Sequence, residues 1–259
     1  MASLPPVGLP LLYKDLVPLS SVDHGDWKVR RNDTAPYAAT EHAVPVTTDE
    51  FFQVQRHYPI VFTLGENPVP IALMALNAGM NTVIAEDGTM RREAYVPAYI
   101  RRYPFILARL QPQAEELSLC FDPTADAIAP DGDGDALFTE DGQPTEVTQF
   151  ILKFCEDFET RAAHTAFFMN ELKQADLLMD GEIKIEQTGN DKPFLYRGFQ
   201  MINQDKFQNA RGDQLRKWQQ NGALSLIHAH FFSLSLLSEM FDRQVQMGKL
   251  PEMMIGADQ

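Results

Sequence analysis

TEVTQFILKFCEDFETRAAHTAFFMNELKQADLL, residues 145–178, is the stretch from which the rest of the chain can be read. Phe150, Ile151, Phe154, Phe158, Phe167, Phe168, Leu172 and Leu178 recur at helical spacing, with Glu156, Asp157, Glu159 and Arg161 mostly opposite. Pro144 or Thr145 opens this helix and Asp180-Gly181 closes it. Upstream of it the pattern changes to short apolar runs punctuated by prolines and turn residues.

Those upstream runs read as strands. YPIVFTLG (58–65) and VPIALMAL (69–76), parted by Glu66-Asn67-Pro68, predict a buried hairpin. LYKDLVPLS (12–20), HAVPV (42–46), FILARL (105–110) and SLCF (118–121) are further strand candidates. NTVIA (81–85) and a strand after Glu86-Asp87-Gly88 would extend the meander, because Asp-Gly favours tight hairpins. Thr47 and Glu50 form a capping-box pattern that predicts a helix from Asp49 to about His57, stopped by Pro59. PAYIRRY (97–103) reads as a short helix. Downstream, IKIEQ (183–187) and FLYRGFQMI (194–202) predict a hairpin across the turn-rich Thr188-Gly-Asn-Asp191. A helical region follows from about 204 to 246, broken near Gly212 and Gly222. Its part ALSLIHAHFFSLSLLSEMF is apolar nearly all round and predicts a buried central helix. The expected class is α+β, with a mixed, mainly antiparallel sheet in the first half and long helices in the second. No linker divides the 259 residues, so one domain over 1–259 is expected.

Composition narrows the function classes. With 44% hydrophobic and 22% charged residues the chain has ordinary material for a folded core. The net charge of −14 argues against a nucleic-acid partner. From residue 111 to 146 there are ten acidic residues and no Lys or Arg, which predicts a solvated acidic loop. Asp131, Asp133 and Asp135 alternate as cation ligands could, yet Ala136 and Gly142 stand where a calcium loop needs glycine and a bidentate acid. Arg91, Arg92, Arg101, Arg102 and Arg109 could serve an anion, although no glycine-rich phosphate loop accompanies them and pairing with surface acids is the simpler reading. Prolines interrupt the N-terminal apolar run, and no 18-residue uncharged apolar stretch occurs. No signal peptide and no membrane insertion are therefore expected, and the cytoplasm is the expected compartment. Cys120 and Cys155 lie in apolar runs, as buried free thiols do.

Catalytic patterns are sparse. GxSxG, GxGxxG, GxxxxGK[ST] and HExxH are absent, and no cofactor is expected. His228 and His230 are spaced i, i+2, which on a helix sends the rings to different sides; a metal site would need His164 or Glu239 as a distant partner. A buried histidine bonded to backbone or to a tyrosine is the plainer reading. Tyr95, Tyr99, Arg101, Arg102 and Tyr103 gather on and just before a short proline-bounded helix, the residue types that recognition surfaces favour. The competing reading is amphipathic packing at the rim of the core.

Several strings, in order, resemble the SapC family of proteobacteria: RHYPIVFT, PVPIALMAL, AEDGTMRREAYVPAYIRRYPFILA, LCFD, LFTEDGQPTEVTQFILKFCEDFE, YRGFQMINQDKF and NGALSLIHAHFFSLSLL. The resemblance covers roughly 16–245 and is most specific in YVPAYIRRYPF, in the acidic turn before the long helix, and in the segment containing His230. Through the family's association with surface-layer proteins and TonB-dependent receptors it implies a link to envelope biogenesis or nutrient uptake, and it carries no agreed catalytic residues; the similarly named peptide-transport permease is a different protein. The reading favoured from sequence is a non-catalytic accessory protein that binds a peptide or protein through Tyr95, Tyr99, Arg101, Arg102 and Tyr103. The alternatives are a metal-dependent enzyme using His228 or His230, and a structural surface-layer component.

Overall fold

Ile60, Val61 and Phe62 are all fully buried, because the strand they form is covered on both faces. That doubly covered strand is the centre of the structure. A computed structural model describes residues 8–31, 33–110, 116–130, 132–185 and 194–249. The turn expected at Thr188-Gly-Asn-Asp191, and Asp131 of the acidic triplet, lie outside the described residues.

In chain order the first half holds β1 (Val17–Pro18), β2 (Trp27–Val29), β3 (Ala43–Pro45), α1 (Phe51–Val54), β4 (Ile60–Phe62), β5 (Pro70–Leu73), α2 (Ala98–Arg101), β6 (Phe105–Ala108), β7 (Ser118–Phe121), β8 (Ile128–Pro130) and β9 (Asp135–Ala136). The second half holds α3 (Glu146–Gln174), β10 (Leu178–Asp180), β11 (Ile183–Ile185), β12 (Phe194–Tyr196), β13 (Gln200–Ile202), α4 (Gln204–Gln208), α5 (Gly212–Gln220), α6 (Ala223–Ser233) and α7 (Leu236–Gln246). Helix accounts for 35% and strand for 19%, and among the described residues every strand pairing is antiparallel. The class is α+β, as the sequence predicts.

A five-stranded sheet runs β10-β13-β4-β5-β3. The expected hairpin is its middle, with Ile60 opposite Ala72 and Phe62 opposite Pro70. Strand alternation sends Val44, Ile60, Phe62, Ala72 and Met74 into a core shared with Phe51, Phe168, Leu172, Trp218 and Ile227. Val61 and Leu73 face the other way, onto Phe199, Leu237, Met240 and Phe241. A second sheet, β1-β7-β6, and a third, β8-β2-β9, supply Phe105, Phe121 and Ile128 to a further cluster that takes in Leu137, just after β9, and Cys155 of α3.

Several expected elements differ. The 12–20 strand shrinks to Val17–Pro18 paired with Cys120 and Phe121. The 49–57 helix becomes a 3-10 turn, Thr48–Glu50, followed by the single-turn α1. NTVIA contributes only an isolated bridge, Ile84 to Met90. Its start is held as a loop by Asn81, whose amide donates to the Ala38 and Glu41 carbonyls while its oxygen accepts from the Val83 and Ile84 amides. The acidic segment is less of a loop than its charge suggests, since β7, β8 and β9 fall within it. By length and composition 223–246 would suffice to cross a membrane. In the fold it is two helices parted at Leu234-Ser235, with Ile227, His230, Ser233, Met240 and Gln244 buried. The central helix is covered on one side only, for His228 and Phe232 are exposed.

Candidate binding site

Thr47 and Glu50 meet in the capping box read from sequence: the Thr47 amide donates to Glu50 Oε2 (3.1 Å), as does its hydroxyl (3.0 Å). The same carboxylate does more than close a turn. Glu50 Oε1 accepts from the Tyr95 hydroxyl (2.9 Å) and from the Ala98 amide (2.6 Å), so one buried side chain fixes the start of α2 against the 3-10 turn. The turn itself docks on α3, where Thr165 Oγ1 accepts the Thr48 amide at 2.9 Å.

Between these elements lies a cleft of about 360 Å³, within the range of small-ligand pockets. Val46, Pro70, Tyr99, Phe158, Ala166 and Met169 form much of its wall. Lys173 Nζ donates to the Glu66 carbonyl (2.8 Å), tying α3 to the β4–β5 turn where both line the cleft. Among the described residues lining it, the titratable side chains are Glu66, Tyr99 and Lys173. Its chemistry is that of an apolar receptacle with an amide-bearing rim at Asn67 and Asn170.

The expected recognition cluster divides at this cleft. Tyr99 is buried, lines the cleft and donates its hydroxyl to the Leu11 carbonyl (3.0 Å). Arg102 is also buried; its guanidinium sits 4.3 Å from the Tyr99 ring centroid and 4.2 Å from that of Phe158, and pairs with Glu159 at 3.5 Å. Arg102 therefore braces two wall residues from behind. Burial raises the Glu159 carboxyl above its usual range, partly offset by Arg102. Arg101 is exposed, donates to the Val96 carbonyl (3.0 Å) and lies over Phe154 and Tyr95. Tyr95 is half-buried, its phenol pushed up to about 12 by burial and by the Glu50 carboxylate. Tyr103 stacks on Tyr37 with centroids 4.1 Å apart and points its hydroxyl at Asp122 (3.4 Å).

The two histidines separate as their spacing predicts. His230 is fully buried; its Nε2 accepts the Ile202 amide (3.2 Å), and its Nδ1 lies 2.8 Å from the Ile60 carbonyl. Both ring nitrogens are used by backbone, which leaves none for a metal. Among the described residues no group of three His, Cys, Asp or Glu side chains is arranged to hold a metal ion. Cys120 and Cys155 are buried and free, and burial pushes the Cys155 thiol up to about 12, so neither is a ready nucleophile.

The SapC family model matches residues 19–240. The chain belongs to the SapC family. No curated protein and no solved structure matches it. The match spans β2 to α6 whole, together with every wall residue of the cleft, so the cleft is built from family sequence. The sequence offers Tyr99 and Arg102 as candidates but not Phe158, which the structure sets beside them, because its helical periodicity reads only as core. Nor does it offer the second role of Glu50, for which the capping box is the sole local signal.

Proposed function

We propose that this SapC-family chain is a non-catalytic accessory protein that captures an apolar peptide segment in the cleft between α3 and the β4–β5 turn. The carrying observation is a preformed apolar wall whose aromatic members, Tyr99 and Phe158, are locked by the Arg102 sandwich. A wall held before binding spares the ordering cost that weakens recognition. Amide side chains at the rim suit a peptide backbone, and an apolar side chain or two would fill the volume. An accessory role in envelope assembly or nutrient uptake, exercised from the cytoplasm, is the setting the family resemblance implies.

The test is selection of a random peptide library on the purified protein, followed by titration of the enriched peptides. Ala166→Trp fills the cleft from an exposed helical position, so the fold is retained. Apolar peptides should be enriched and should bind the variant at least about tenfold more weakly, a loss of ~1.4 kcal/mol. Peptides that bind the variant as tightly as the parent would overturn the site.

A further inference from the structure

A second cleft, of about 210 Å³, is unlike the first. It lies between the segment joining α1 to β4, the loop 91–94 and α7, and four arginines line it: Arg56, Arg91, Arg92 and Arg243. In a chain with 36 acidic residues against 22 Lys and Arg, surface cations have a surplus of partners. Among the described residues Arg56, Arg91 and Arg92 nevertheless form no ion pair. Arg243 has only a 4.0 Å contact with Glu239, and its Nε is buried with no hydrogen-bond partner. Glu93 and Glu239 are the carboxylates that face this group. Four guanidinium groups against two carboxylates leave two positive charges uncompensated.

The backbone carrying these cations is pinned. The Arg91 amide donates to the Val83 carbonyl (2.8 Å), the Ala94 amide to the Arg91 carbonyl (3.1 Å), and the Tyr58 hydroxyl to the Tyr95 carbonyl (2.7 Å). Burial and the nearby Arg91 both disfavour the charge on Arg243, a penalty that an anion in the cleft would relieve. His57, also in the lining, is held below its ordinary range by burial and by Arg56, and in either protonation state it keeps a ring N–H to donate.

We propose that this cleft binds a small molecule bearing a phosphate dianion. Planar guanidinium forks match phosphate oxygens two at a time, and a dianion matches the two unbalanced charges. The volume of about 210 Å³ admits a phosphomonoester head together with part of the group that carries it. The site stands on observations separate from the apolar cleft and does not depend on the peptide reading.

Calorimetric titration with inorganic phosphate and with phosphoserine, against chloride at matched ionic strength, tests it. One equivalent of each phosphate probe should bind. Arg91→Ala and Arg92→Ala, both at exposed positions, should each weaken binding by about tenfold or more, as the loss of a charge-assisted hydrogen bond does. Arg216→Ala, an exposed arginine on α5 outside the cleft, should bind as the parent does. No heat above the chloride control, an equal loss in Arg216→Ala, or succinate binding as tightly as phosphoserine would each overturn the assignment.

Discussion

Since the Ile202 amide can only donate, His230 Nε2 must accept, and Nδ1 carries the proton to the Ile60 carbonyl. Burial lowers its pKa to about 4, with the Ile60 bond pulling the other way. The residue spans a weak seam, because β13 and β4 pair at only one position, Gln200 with Phe62. Ser233 completes the clasp by accepting the Ile60 amide at 2.9 Å. The pKa is lower folded than unfolded, so the unfolded chain takes up the extra proton. This contribution is intact above pH 6.5 and is lost as pH falls toward 4, by about 3 kcal/mol. Urea unfolding at pH 7 and at pH 4.5 should show His230→Gln less stable than the parent at the higher pH but with a shallower fall between them. Glu50 is the other such residue. Glu50→Gln replaces one acceptor oxygen by a donor facing donors and should cost about 2–4 kcal/mol, read as a lowered thermal midpoint.

The long helix α3 shows how an element's buried face departs from its apolar pattern. Its buried positions are Thr148, Cys155, Phe158, Thr165, Phe168, Met169, Glu171 and Leu172, a stripe that admits polar side chains where they find partners: backbone for the two threonines, Asn221 and Lys217 for Glu171. Thr148 donates to the Leu137 carbonyl (2.6 Å), and Thr165 accepts the Thr48 amide. Phe150 and Phe167, counted with the apolar face from sequence, are 72% and 67% exposed. Each lies two positions from a buried threonine, about 200° around the helix. Phe150→Ser should therefore shift stability by no more than about 0.5 kcal/mol. Phe158→Ala removes a wall of the cleft and a partner of Arg102 and should cost about 3–5 kcal/mol. Chemical denaturation of the two variants side by side separates these outcomes. Equal losses would restore the purely apolar reading of the helix.

For the molecule as a whole, a net charge of −14 stores self-repulsion that salt screens. Raising sodium chloride from 10 mM to 150 mM should raise the thermal midpoint by about 2–5 °C. The two clefts divide this acidic surface into chemically distinct places, one apolar and one cationic, on different sets of elements. Phosphate should therefore raise the midpoint further than chloride at equal ionic strength, and Ala166→Trp should leave that increment unchanged. Loss of the increment in Ala166→Trp would show the clefts to be coupled.

Local physics alone made the long helix, the Thr47–Glu50 box and the β4–β5 hairpin legible, since each rests on residues within a few positions or one short turn of each other. The α+β class followed from the change of hydrophobic period at residue 145. What only the tertiary structure decided are meetings across the chain: Glu66 with Lys173, Tyr99 with Phe158, Ile60 with His230, and Arg56 with Arg91 and Arg243. A tyrosine, an arginine or a histidine has the same local signature whether it ends in a wall, behind a wall or in a core. Its role is set by which surface the folded chain lays against it, and no short-range pattern records that choice.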